Sequence, residues 1–478
     1  MKNIFLIFLF PLLVLGQNKK TIKYFNAGEK AQDEKNHIES INQFKLAVKK
    51  YPKYYEAYNE IGNSFRSLNN LDSALFYHSK SVNLNTEYPD GYWSKAMTYI
   101  YLKEYEKSIT EFTKYIELVG DKYPENFYGY FKRGNIKSLL KDHNDAIFDY
   151  TMALRLDSVN ISTDVVNKTG LYIVNSIEAY IGRAQEYNSL ANRFDLENYQ
   201  NAKKDFKKAL KLATIDGKLL QDYNWIYSSY GGVFWNEAEH NPIMYDTALF
   251  YYKRHIETDT TDFYIHYIAG ECLRLMNRPK EAIYYYKFSL DSLPDYNPEI
   301  ISDRILECYE VLDDNERALE FLDYLIVDFF RNNNSVLPII YSKRGIKKYE
   351  LKDFEGSIED HTKALDLDPN DPDAYYNRGI SKSDLKDYRG AIVDYTKAIE
   401  LDSSYTNAYY NRGISNYNLK DYEGSIRDNT ITIELQPDYI NAYINRGVSK
   451  SKINLDQCVD YKKACALGDC DYFNKYCK

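Results

Sequence analysis

The sequence lacks any hydrophobic run long enough to cross a bilayer. Its one apolar stretch, Ile4 to Leu15, holds twelve residues and is broken by Pro11, whereas a membrane helix needs about 20. It also lacks an excess of positive charge: 61 Lys and Arg stand against 70 Asp and Glu, a net charge of -9. No uninterrupted basic block occurs, which argues against a phosphate backbone as partner, because non-specific nucleic-acid affinity comes from clustered Lys and Arg. The chain has no His-x-x-x-His pair, nucleophile elbow or Cys-x-x-Cys, and Gly231-Gly232 has none of the lysine and hydroxyl neighbours that a phosphate cradle requires. The seven histidines, His37, His78, His143, His240, His255, His266 and His361, are dispersed along the chain. No catalytic residue, metal or cofactor is expected, and the protein is read as a non-enzyme.

Lys2 and Asn3 precede the apolar run, and Val14-Leu15-Gly16 puts branched or small residues where a signal peptidase reads them. Residues 1–16 are predicted to be a signal peptide cleaved after Gly16, giving an exported protein, periplasmic or secreted. No cysteine follows the run, which speaks against a lipid anchor. Asn-Xaa-Ser/Thr sequons at Asn160, Asn167 and Asn333 matter only if the host glycosylates exported proteins.

Three tryptophans are outnumbered by 50 tyrosines, and most of these fall within a repeat. A small residue recurs as Gly28, Gly62, Ala96, Gly134, Gly270, Gly345, Gly379, Gly413 and Gly447, the last four 34 residues apart. Twelve residues after most of them stands a second small residue: Ser40, Ala74, Ser108, Ala146, Ala282, Ser357, Ala391 and Ser425. Two antiparallel helices joined by a short turn cross closely where bulky side chains are missing, so each repeat is read as a hairpin of helices A and B. Phe44, Phe112, Tyr150, Phe206, Tyr252, Tyr286 and Tyr395 follow four residues later, and Ala47, Ala153, Ala209, Ala364 and Ala398 three after that, as one stripe of helix B. Pro52, Pro294, Pro369 and Pro437 then mark where that helix must stop.

The run from Ala374-Tyr375-Tyr376-Asn377-Arg378-Gly379-Ile380 to Asp402-Ser403 closely resembles the tetratricopeptide repeat (TPR) family, and the pattern extends over nearly all of the chain after residue 20. Tyrosine (Tyr58, Tyr375, Tyr409, Tyr443) replaces the family's usual tryptophan. The resemblance implies an all-α, right-handed superhelical solenoid of about twelve hairpins with a C-terminal capping helix. The hairpins are expected in three lobes, 21–160, an irregular 174–330 and 338–477. The breaks are the Ser/Thr/Asn-rich stretch Asp157 to Thr169 and Arg331 to Ser335, both suited to loops. The fifth hairpin carries about six extra residues against the repeat period of the family.

Two positions covary. Arg133, Arg344, Arg378 and Arg412 precede the first small residue, and Asp149, Asp360, Asp394 and Asp428 then lie three after the second; Lys95 is matched by Glu111. Where the first is apolar, as Ala27, Ile61, Ala269 or Ile305, its counterpart is Gln43, Tyr77, Tyr285 or Phe321, never an acid. An ion pair between helices A and B is expected, of small net value because desolvation offsets attraction, with a row of arginines gripping a carboxylate partner as the rival.

Four of the six cysteines, Cys458, Cys465, Cys470 and Cys477, surround the turn Ala466-Leu467-Gly468-Asp469. Residues seven apart in one helix are about 10.5 Å apart along its axis, too far for a disulfide. In an antiparallel hairpin facing residues share an index sum, which is the same for Cys465 with Cys470 and for Cys458 with Cys477. Two disulfides stapling a final short helix are expected, with a four-cysteine zinc site as the rival. Cys272 and Cys308 are read as buried thiols.

The resemblance further implies that helices A line a concave face that holds extended peptides. Asn377, Asn411 and Asn445 match the asparagine ladder of some relatives, with Tyr376 and Tyr410 beside it and Ile380 and Ile414 one turn on. The family's carboxylate clamp is absent: Tyr376 stands where a lysine is expected and Ile380 where an asparagine is. The expected function is a non-catalytic protein-interaction scaffold outside the cytoplasm, its partner a protein or peptide, not nucleic acid. The alternatives are ordinary solvated positions, or glycan and small-ligand binding on tyrosine platforms.

Overall fold

Each helix carries an apolar stripe on one face and cannot bury it alone, so consecutive helices pack side by side along the chain. The computed structural model describes residues 19–120, 126–161, 170–191, 196–215, 218–219, 221–292, 298–331, 333 and 335–477. The expected signal peptide and the sequon at Asn167 lie outside the described residues. The chain forms two compact units that divide between Met276 and Asn277. That division falls inside the stretch expected as the second lobe.

In the first unit α1 (Lys19–Asp33) pairs with α2 (His37–Lys50), α3 (Tyr55–Ser67) with α4 (Leu71–Leu84), and α5 (Pro89–Tyr101) with α6 (Tyr105–Val119). Then come α7 (Asn126–Leu139) with α8 (His143–Ile161), α9 (Gly170–Leu190) with α10 (Leu196–Ala213), α11 (Trp225–Ala238) with α12 (Met244–Thr258), and α13 (Phe263–Leu275). Thr214–Ile215 and Lys218–Leu219 form a two-residue antiparallel ladder after α10. The second unit holds α14 (Pro279–Ser292), α15 (Pro298–Val311) and α16 (Asn315–Tyr324), which ends in a π-helical turn at Leu325–Phe329. Three regular hairpins follow: α17 (Leu337–Glu350) with α18 (Phe354–Leu367), α19 (Pro372–Asp384) with α20 (Tyr388–Leu401), and α21 (Thr406–Asn418) with α22 (Tyr422–Leu435). The chain closes with α23 (Ile440–Lys452), α24 (Cys458–Ala466) and the short α25 (Asp471–Tyr476). The fold is an all-α TPR solenoid.

The turn inside most of the described hairpins follows a local code. Lys35, Asn69, Lys103, Lys141, Lys352, Lys386 and Lys420 all adopt positive φ, from 57° to 65°, directly after helix A. The next residue caps helix B: Asp353, Asp387 and Asp421 accept from the backbone N–H of Gly356, Gly390 and Gly424, and Asn36 and Asn70 do likewise. Lys and Asn tolerate the left-handed region at modest cost, so no glycine is required there.

One expectation is refined and another corrected. The two small residues do approach each other, Ser108 Oγ donating to Ala96 O at 2.9 Å, but the glycine of helix A chiefly accommodates a larger side chain. A Cβ built on Gly379 would lie 2.7 Å from the Tyr395 ring and one on Gly28 2.6 Å from the Phe44 ring, so the glycine makes room for the aromatic sixteen residues later. Ser357 and Ser425 also reach the next hairpin: Ser357 Oγ lies 2.9 Å from Ser381 Oγ, and Ser425 Oγ 2.9 Å from Ser449 Oγ. The stretch from Asp157 is not all loop either, since α8 continues to Ile161. Its Ser and Asn are weak helix formers but not breakers, and no Gly or Pro intervenes.

Candidate interaction surface

The covarying positions lie between helices A and B at hydrogen-bond distance. Arg378 grips Asp394 with two parallel bonds, Nε at 3.0 Å and Nη2 at 2.7 Å, and Nη1 donates to Thr362 Oγ1 of the preceding helix B at 3.1 Å. Arg133 treats Asp149 and Thr113 the same way, and Arg412 treats Asp428 and Thr396. Arg344 holds Asp360 bidentately but uses Asp323 where the others use threonine. Lys95 pairs with Glu111 at 2.6 Å. The carboxylates are all but inaccessible while the guanidinium side chains are 11–18% exposed.

Three features of this network escaped the sequence reading. Arg183–Asp205 and Arg446–Asp460 are further members, missed because their separations are 22 and 14 rather than 16 residues. Lys137, Lys348, Lys382 and Lys450, four residues after the arginine, supply a second cation to the same carboxylate at 2.7–3.0 Å. Burial raises the Asp360 pKa, and Arg344 and Lys348 outweigh it, so the carboxyl stays below its ordinary value. Each guanidinium also lies over the tyrosine three residues before it, as Arg378 over Tyr375 at 5.5 Å and Arg412 over Tyr409 at 5.4 Å. The arginine row is therefore a spine stitching successive hairpins, with its donors already engaged, rather than a carboxylate grip.

On the helix A face of the second unit, α17 touches α19, α19 touches α21 and α21 touches α23. Asn411 Nδ2 donates to Tyr376 Oη at 2.9 Å, bonding α21 to α19. Asn445 acts on the Tyr410 hydroxyl in the next repeat, partly offsetting the rise that burial gives its pKa. Tyr376 packs on Tyr405 at a centroid distance of 4.9 Å, and Tyr410 on Tyr439 at 4.9 Å. Tyr405 Oη in turn donates to Asp373 Oδ1 at 2.5 Å. Two rungs of the expected asparagine ladder thus serve the preceding tyrosine. Asn377 differs, because the residue at Tyr376's place one repeat earlier is Ser342, too short to reach it, and Ser342 Oγ is buried without a hydrogen-bond partner. Ile380 and Ile414 are half-buried beside this lattice.

At the C-terminus Cys458 and Cys477 form a disulfide with Cα atoms 5.6 Å apart, and Cys465 and Cys470 a second with Cα atoms 3.9 Å apart. They hold α25, which buries none of its residues, against α24, where Tyr461 meets Tyr472 at 5.3 Å and Tyr476 at 6.1 Å. Cys272 and Cys308 are buried and outside both bridges. Among the described residues no group of His, Cys, Asp and Glu could hold a metal ion. The arrangement nearest to a catalytic triad is Ser138, Glu186 and His143. The buried Glu186 carboxylate takes both the Ser138 hydroxyl (2.5 Å) and His143 Nδ1 (2.6 Å), so neither hydroxyl nor imidazole activates the other.

Known proteins resemble parts of this chain. Profiles described as tetratricopeptide repeat match residues 372–405 and residues 89–118 and 177–215, and one described as TPR repeat matches 338–382. A UDP-N-acetylglucosamine--peptide N-acetylglucosaminyltransferase of Giardia intestinalis is 26% identical over 145 residues, 30% of this chain, and this chain spans only 8% of that enzyme. Among solved structures, MamA is 23% identical, covering 36% of this chain and 98% of its own at a TM-score of 0.32. The Cut9-Hcn1 hetero-tetramer of APC/C is 12% identical over 97% of both chains, at 0.35. The first TPR of Spaghetti (RPAP3), bound to an HSP90 peptide, is 26% identical over 25% of this chain and 94% of its own, at 0.25. With the hairpin period and these profile matches together, the chain is a tetratricopeptide-repeat protein, its repeats matched over residues 89–118, 177–215 and 338–405.

Proposed function

We propose that this interaction scaffold works outside the cytoplasm and holds an extended segment of a partner protein along the helix A face of α17 to α23. The observation that carries the reading is the tyrosine and asparagine lattice. It fixes Tyr376, Asn411, Tyr410 and Asn445 in place and leaves the Asn377 amide, which both donates and accepts, beside the half-buried Ile380. A preorganised face loses little entropy on binding. Two disulfides in the C-terminal cap support a site of action in an oxidising compartment. The tyrosines favour a peptide over a sugar ring, because Tyr376 and Tyr410 already stack on other tyrosines. The scaffold binds without turnover.

The test is capture of partners from the exported fraction by the wild-type chain and by Asn377→Ala combined with Ile380→Ala. The pair of truncations is expected to lose the partner while thermal stability is kept. Unchanged recovery would remove the helix A face from consideration. Recovery of the chain in the cytoplasm, with residues 1–16 still attached, would refute export.

A further inference from the structure

From Lys204 onward, after the exposed Glu197 of its first turn, helix α10 presents a single sign of charge. Lys204, Lys207, Lys208 and Lys211 are all exposed, and their spacing of i, i+3, i+4 and i+7 places the four ammonium groups in one line along the helix. Asp205, the one acid between them, points inward and is held by Arg183. None of the four lysines has an ion-pair partner among the described residues, whereas their neighbour Lys203 is paired with Glu237. The net charge of -9 conceals this face, because it sums over the whole chain.

Other B helices show what is unusual. Six and nine residues after the second small residue, α6 carries Lys114 and Glu117, α12 Arg254 and Glu257, and α20 Lys397 and Glu400, each a cation with its own acid at 3.0–3.3 Å. Counting from Ala202, α10 has Lys208 and Lys211, so the compensating acid is itself a lysine. Like charges three and four apart destabilise a helix, and here they accumulate with no local relief. The preceding and following B helices along the chain, α8 and α12, expose Phe148 (56%) and Phe250 (52%) at the position that Lys204 occupies, two residues after the small residue, as α4 exposes Phe76 (61%).

We infer that this face docks on a bilayer surface rich in anionic phospholipid. A straight row of charges on a helix surface can meet a plane with all four groups at once. Lysine suits that role: it is a point charge on a flexible stem, attracted to a diffuse negative surface, where arginine would give bidentate recognition of single groups. The flanking phenylalanines enter the headgroup region, and their position on separate helices keeps the contact peripheral, consistent with the absence of any helix long and apolar enough to cross a membrane among the described residues.

The test is co-sedimentation of the full chain with phosphatidylcholine vesicles with or without one third phosphatidylglycerol, at about 0.15 M salt. The wild type is expected to sediment with the anionic vesicles only and to be released at high salt. Changing Lys204, Lys207, Lys208 and Lys211 together to Gln should weaken binding about tenfold or more, and Lys211→Glu alone, which restores a partner to Lys208, should weaken it partly. Asn377→Ala should sediment like the wild type, so failure of this inference and of the peptide face are told apart. All these variants are surface changes, and unchanged circular dichroism and melting would show that they fold. The idea is overturned if the wild type stays in solution with anionic vesicles, or if the four-glutamine variant sediments equally. Lysine-dependent capture of duplex DNA or polyglutamate without vesicle binding would overturn it in favour of an acidic polymer.

Discussion

Between pH 7 and pH 4.5 the α17–α18 hairpin is expected to lose stability through one residue, His361. It is 1% exposed and occupies the place that Phe44, Phe112 and Tyr395 fill in other hairpins, its ring lying over Gly345. Neither ring nitrogen has a hydrogen-bond partner. Burial, reinforced by Arg378, outweighs the opposite pull of Asp360 and Asp394 and lowers its pKa to about 4 from the ordinary 6.5. At pH 5 the unfolded chain therefore holds a proton that the folded one does not, so stability rises with pH across the window from about 4 to 6.5. Each pH unit is worth about 1.4 kcal/mol, so about 3 kcal/mol is lost by pH 4.5. His361→Phe should remove that slope, and should stabilise the hairpin by roughly 1 kcal/mol at pH 7, since two unpaired nitrogens leave the core. Asp360, whose pKa lies below its ordinary 3.8, acts below this window and is common to both proteins. An array this long does not unfold in one step. The assay is therefore amide exchange of α17 and α18 at several pH values, corrected for intrinsic rates. Equal slopes in wild type and variant between pH 4.5 and 7 would refute the reasoning.

The arginine spine makes a second prediction. Asp394→Leu strands Arg378 and Lys382 and should cost about 3 kcal/mol, while adding Arg378→Leu should recover part of it; a coupling energy near zero in the double-mutant cycle, read from amide exchange of α19 and α20, would mean the pair only coexists. The C-terminal cap makes the third. Reduction, or Cys458→Ser with Cys477→Ser, should abolish exchange protection of α25 and weaken the cap by about 2–4 kcal/mol, leaving α17 to α22 unchanged. Protection that survives reduction would show that the stack of Tyr461, Tyr472 and Tyr476 suffices.

Much of this molecule could be read from its sequence because a repeat states each constraint many times. Helix boundaries, the pairing of Arg378 with Asp394 and the shared index sums of the cysteines are all relations at fixed spacing, and helical geometry converts spacing into position. Where spacing changed, the reading failed: Arg183–Asp205 and Arg446–Asp460 went unseen with separations of 22 and 14. The turn code of a positive-φ Lys followed by a capping Asp was present in Lys352-Asp353, Lys386-Asp387 and Lys420-Asp421, but only backbone angles give it meaning.

The sequence by itself determined the class of fold, the hairpin period and the ion-pair register, because local helix packing repeats every 34 residues. The tertiary structure alone decided which partners those side chains choose. It turned two ladder asparagines toward the preceding tyrosines and set repeat glycines such as Gly28 and Gly379 under the rings of Phe44 and Tyr395. It also left the four lysines of α10 exposed and without an ion-pair partner among the described residues. Choices of that kind depend on which neighbour lies across the helix interface, and that distance is not written in the spacing along a single chain.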